Sequence, residues 1–128
     1  MSSCSDSRLV SIVDDDASVR RSLEDLLMSA GISAESFGSA EEFLQSDKRY
    51  QTSCLITDLQ MPGMSGLELQ RKLATEGWKV PTILMTAHHD AEVRVRALHD
   101  DALAFLCKPF DEGVLLQLLC AALRDTAV

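Results

Sequence analysis

Leu9-Val-Ser-Ile-Val-Asp-Asp-Asp16 opens as an apolar run and stops on three acids. A short apolar run that ends abruptly in charge reads as a buried strand whose carboxyl end meets solvent. The same punctuation recurs along the chain. Cys54-Leu-Ile-Thr57 stops on Asp58, Thr82-Ile-Leu-Met85 on Thr86, and Leu103-Ala-Phe-Leu-Cys107 on Lys108.

Stretches with helical spacing fill the gaps. Val19, Leu23, Leu26, Leu27 and Ala30 follow the first run, closed by Gly31 as a C-cap. Ile32–Phe37 is the most polar strand-like segment. Ser39-Ala-Glu-Glu42 has capping-box spacing before Phe43 and Leu44, and Ser65-Gly-Leu-Glu68 repeats it before Leu69 and Leu73, with Leu67 inside the box. Pro81 stands where a strand tolerates proline. A helix from about Asp90 to His99 carries Val93, Ala97 and Leu98, and Asp111 caps a last helix with Val114, Leu115, Leu118, Leu119 and Ala122. Five strands alternating with five helices predict an α/β fold: a doubly wound (βα)5 unit with a five-stranded parallel sheet. A flavodoxin-like order 2-1-3-4-5 puts Ile32–Phe37 at an edge.

The 128 residues suit one domain, and 46% hydrophobic with 25% charged residues suits a soluble globular chain. The reading is a polar tail over 1–7, one domain over 8–124, and a tail or start of a linker over 125–128. No apolar run approaches the ~20 residues of a membrane span, and Met1–Ser7 lacks the layout of a signal peptide. Twelve basic against 20 acidic residues leave a net charge of −8, which argues against wrapping nucleic acid unaided. Cys4, Cys54, Cys107 and Cys120 lack CxxC spacing, so reduced thiols in a cytoplasmic protein are expected.

In an open α/β sheet, ligands bind beyond the carboxyl ends of the strands. Four strands therefore bring Asp14, Asp15, Asp16, Asp58, Thr86 and Lys108 to one edge. Two carboxylates ~4 Å apart repel by about 4 kcal/mol at an effective dielectric near 20, so such a cluster calls for a cation. Oxygen-rich sites with few protein ligands suit Mg²⁺, which shares its shell with water and phosphate. A carboxylate can act as nucleophile and become an aspartyl-phosphate. Lys108 and the Thr86 hydroxyl would then neutralise and bind phosphoryl oxygens, the positioning and charge work that dominates this chemistry.

Val13-Asp-Asp-Asp16 with Val19-Arg20, Asp58-Leu-Gln-Met-Pro-Gly-Met-Ser-Gly66, Thr86-Ala87 and Lys108-Pro109-Phe110 together resemble the signature of response-regulator receiver domains. The resemblance spans about residues 8–124. It implies Asp58 as phospho-acceptor, Asp15 as a direct Mg²⁺ ligand, Asp14 as the second acid, and the Gln60 backbone carbonyl as a further ligand. It also implies Thr86 and Phe105 as a switch pair, and a cis peptide at Lys108-Pro109. The opening acids, Ser39–Leu44 and Met61–Gln70 are most similar to the FixJ-type branch. That branch implies a cognate sensor histidine kinase, dimerisation on phosphorylation, and DNA reached only through a C-terminal helix-turn-helix domain absent from this sequence. Chemistry beyond self-phosphorylation and self-dephosphorylation is not expected, so the domain is a switch and not an enzyme.

Asp101 stands before Ala102 where the family usually has glycine, which bears on the turn before the last strand. Several residues carry plainer readings. Asp16 suits N-capping of the first helix better than metal binding. Met61, Met64 and Met85 suit packing, and His88, His89 and His99 lack partners for a zinc site. His88 and Gln60 stand at the positions where the family tunes phosphoryl lifetime. An aspartyl phosphatase would need Asp-x-Asp after the first strand, whereas Asp58-Leu-Gln60 lacks the second acid. A receiver-like module without phosphorylation would lack Asp58, Lys108 or the acid pair, and all are present.

Overall fold

The structure is a computed structural model that describes residues 9–47, 51–59, 61–77, 80–86, 104–107 and 111–125. Its elements are β1 (Leu9–Val13), α1 (Ala17–Ser29), β2 (Ser33–Phe37), α2 (Ala40–Gln45), β3 (Thr52–Asp58), α3 (Gly66–Thr75), β4 (Thr82–Thr86), β5 (Ala104–Cys107) and a C-terminal helix (Glu112–Asp125). The helix expected over Asp90–His99 lies outside the described residues, as do Asp101 and the three histidines.

All neighbouring strands are parallel, in the order β2-β1-β3-β4-β5. Alternation along the central strands explains why both faces are covered. Val10, Ile12, Cys54, Ile56, Ile83 and Met85 face Leu23 and Leu27 of α1 and Leu115 and Leu119 of the C-terminal helix. Val13 and Leu55 face Phe37, Phe43 of α2, and Leu69 and Leu73 of α3. Phe37 and Phe43 meet edge to face with centroids 5.4 Å apart, a preferred aromatic geometry. Burying each such side chain stabilises the fold by about 1.5–3 kcal/mol.

Helix ends follow the side-chain chemistry. Asp16 caps α1, accepting from the Ser18 N–H at 2.8 Å and the Val19 N–H at 3.4 Å. Gly31, with φ of 76°, sits one residue past the cap Ala30, so it closes α1 from just outside the helix. Its N–H donates to Met28 and that of Ile32 to Leu27, the paired bonds of a Schellman ending. Ser65 and Glu68 form the full reciprocal capping box. At α2 only half of it forms: Ser39 accepts from the Glu42 N–H, while the Glu42 carboxylate reaches the Gly38 N–H at 3.4 Å. Asp111 accepts from the Val114 N–H at 3.1 Å, as expected of a cap.

Val114 is 43% exposed, because the inward stripe of its helix runs through Leu115, Leu119, Ala122 and Leu123. One expectation needs correction. The cysteines are not all reduced. Cys54 is free and buried, but Cys120 is disulfide-bonded. Chain spacing does not disclose which thiols meet across a fold.

Candidate functional site

β1 and β3 are neighbours with Val13 opposite Thr57, so Asp14 and Asp58 leave the sheet side by side. Asp14 is fully buried, Asp58 is 9% exposed, and Asp15 is open to solvent. One carboxylate oxygen from each of Asp14, Asp15 and Asp58 lies within 4.8 Å of the others. Opposite ligands of an octahedral Mg²⁺ are about 4.2 Å apart, twice its ligand distance. Three carboxylate oxygens this close to one another suit a shared small hard cation. Asp16 is spent on capping α1, in keeping with its plainer reading.

The surrounding backbone holds this cluster in place. The Asp14 N–H continues the ladder to Phe37 at 3.1 Å, and its carboxylate accepts from the Asp16 N–H at 2.9 Å. Arg20 reaches back along α1, its Nη1 donating to the Asp14 carbonyl at 2.6 Å. Beyond β3, the Leu59 N–H donates to Met85 at 2.8 Å, and the Gly66 N–H to Leu59 at 3.2 Å. The turn after Asp58 is therefore pinned at both ends.

Thr86 ends β4 and is buried. Asp58 pairs with Met85, so Thr86 follows immediately beside Asp58, and Cys107 pairs with Thr86 on the far side. Phe105 pairs with Leu84 in β5, two residues before that position; its side chain lies outside the described residues. Gln60 and Lys108, with the Lys108-Pro109 bond, also lie outside them. Sequence reading overlooked Glu41, which accepts from the Met64 N–H across 23 residues. It also missed what Arg20 holds, because a bond to a backbone carbonyl leaves no mark on the acceptor's identity.

Among the described residues no helix is long and apolar enough to cross a membrane. Response regulator receiver domains match the chain over residues 10–120. Nodulation protein W of Bradyrhizobium diazoefficiens is 45% identical over 89% of this chain and 50% of its own length. The transcriptional regulatory protein FixJ of Azorhizobium caulinodans is 39% identical over 92% of this chain and 56% of its own. A response regulator receiver protein from Burkholderia phymatum superposes with a TM-score of 0.79 at 46% identity, covering 91% of this chain and 94% of that one. The chain belongs to the receiver domains of two-component response regulators, in the company of FixJ-type transcriptional regulators. It spans about half the length of the curated relatives it matches.

Proposed function

We propose that this domain receives a phosphoryl group on Asp58 from a sensor histidine kinase and relays its arrival to an attached output domain. The convergence of Asp14, Asp15 and Asp58 carries the reading. These acids, with the Gln60 backbone carbonyl, would hold Mg²⁺, which neutralises charge on the acids and the phosphoryl oxygens. An Asp58 carboxylate oxygen attacks phosphorus in line with the bond to the donor; that bond breaks as the acyl phosphate forms, and the departing imidazole keeps its electron pair and takes a proton. Lys108 pairs with one phosphoryl oxygen and Thr86 donates to another.

The domain acts in the cytoplasm and turns over no substrate beyond its own phosphorylation and dephosphorylation. Drawing Thr86 inward would vacate space for Phe105, and that change would reach the outer side of β5 and the C-terminal helix, where the sequence reading also puts the helix expected over Asp90–His99. Dimerisation through this face would then control a C-terminal DNA-binding domain, a role in keeping with relatives named transcriptional regulatory proteins. Acetyl phosphate and Mg²⁺ should add one phosphoryl group by intact mass, and Asp58→Asn should remove it. Equal labelling of that variant would overturn the assignment.

A further inference from the structure

The turn between β3 and α3 is held from outside itself. Its ends are tied by backbone bonds from Leu59 to Met85 and from Gly66 to Leu59. Its apex reaches a second helix, where the Met64 N–H donates to Oε2 of Glu41 at 3.2 Å. Glu41 stands in the first turn of α2. The same oxygen fills the space that a side chain at position 63 would need: a β-carbon on Gly63 would stand 3.0 Å from it. Gly63 also has φ of +78°, which L side chains resist. Two residues of one turn are thus shaped around one carboxylate. Glu41 is available for this because Ser39 and Glu42 take the capping duties of α2.

We propose that Glu41 is a positioning residue for the cation site: through Met64 and Gly63 it sets the turn after Asp58 before the cation arrives. The inference rests on the Mg²⁺ reading, since the receiver resemblance draws a backbone ligand from this turn. Outer partners that orient metal ligands are worth roughly 10- to 100-fold in affinity. Glu41 is exposed and acts through backbone, so an effect at or below the low end is expected.

Mg²⁺-dependent labelling by acetyl phosphate, followed by intact mass, tests this. Glu41→Ala should raise the half-saturating Mg²⁺ concentration about three- to tenfold, with the rate at saturating Mg²⁺ within about twofold of the parent. Glu41→Gln should restore the parental value, because its amide oxygen accepts the same N–H. Without Mg²⁺, amide hydrogen exchange over residues 61–67 should quicken in Glu41→Ala and not in Glu41→Gln. Unchanged exchange overturns the tie. Quicker exchange with an unchanged Mg²⁺ requirement overturns the positioning role. A parent protein labelled equally well without Mg²⁺ overturns the cation reading itself, an outcome read from the parent alone.

Discussion

Gly66 opens α3 with its α-carbon packed against the backbone of Asp58. A β-carbon there would fall well inside contact distance of the Asp58 carbonyl oxygen, 3.0 Å from its carbon and 3.1 Å from Cγ2 of Thr57. The obstruction is backbone at the end of a central strand, which cannot swing aside as a side chain can.

Gly66→Ala should therefore both destabilise the domain, by about 1–3 kcal/mol as overpacking does, and slow labelling at Asp58. Urea unfolding and the initial labelling rate measure the two effects. A variant matching the parent in both would mean the helix start yields freely.

Asp15 and Asp16 are adjacent but should behave differently. Asp15→Asn should abolish most of the rise in thermal midpoint that millimolar Mg²⁺ gives, since a cation that binds the native state stabilises it by mass action. Asp16→Ala removes the cap of α1 and should cost about 1 kcal/mol, with the Mg²⁺ response intact. A parent midpoint indifferent to Mg²⁺ would remove the cation from the site.

Burial pushes the Cys54 thiol up to about 12 from 9.0. The native state keeps this proton where the unfolded chain has lost it, so the stabilisation is whole below pH 9 and fades as pH rises towards 12. The slope approaches about 1.4 kcal/mol per pH unit in that window. Cys54→Ala lacks this term. Parent and variant, compared by chemical unfolding in reducing buffer, should converge in stability as pH climbs from 9 to 11; a constant gap would contradict the shift.

Val114 and Met28 are the large apolar side chains exposed among the described residues. Val114 lies on the C-terminal helix, beside the face proposed to pair in the phosphorylated form. Sedimentation should show the unphosphorylated domain as monomer and the acetyl-phosphate-treated domain as dimer. Val114→Asp should weaken that dimer about tenfold or more, the scale of one interface residue worth over 1 kcal/mol, with little change in monomer stability. A fully phosphorylated monomer at high micromolar concentration would end the dimer proposal and leave Asp58 as acceptor.

Much of this was legible because strand ends carry the chemistry. Asp14, Asp58 and Thr86 each follow an apolar run, and parallel pairing in the order β2-β1-β3-β4-β5 places them together. The caps at Asp16, Ser65 and Asp111 were legible too, since capping uses local spacing. The exposure of Val114 was not legible, because it adjoins Leu115 in a helix rich in leucine, where one step of rotation separates core from solvent. The reach of Glu41 to Met64 and of Arg20 to the Asp14 carbonyl had no signature, for each ends on a backbone group that every residue carries. The bond at Cys120 depends on tertiary approach, on which spacing is silent.

The sheet also has an unguarded side, and β2 is how the chain manages it. Its outer backbone groups are a template on which another molecule's strand could grow, the usual route from edge strands to aggregates. Only five residues long, β2 carries Glu35 at its centre, and Ser36 beside it is held by Glu24 of α1 at 2.5 Å. Two copies meeting there antiparallel about residue 35 would set one glutamate against the other, a disfavoured like-charge pair. Edge-to-edge pairing of two copies through β2 is thereby disfavoured.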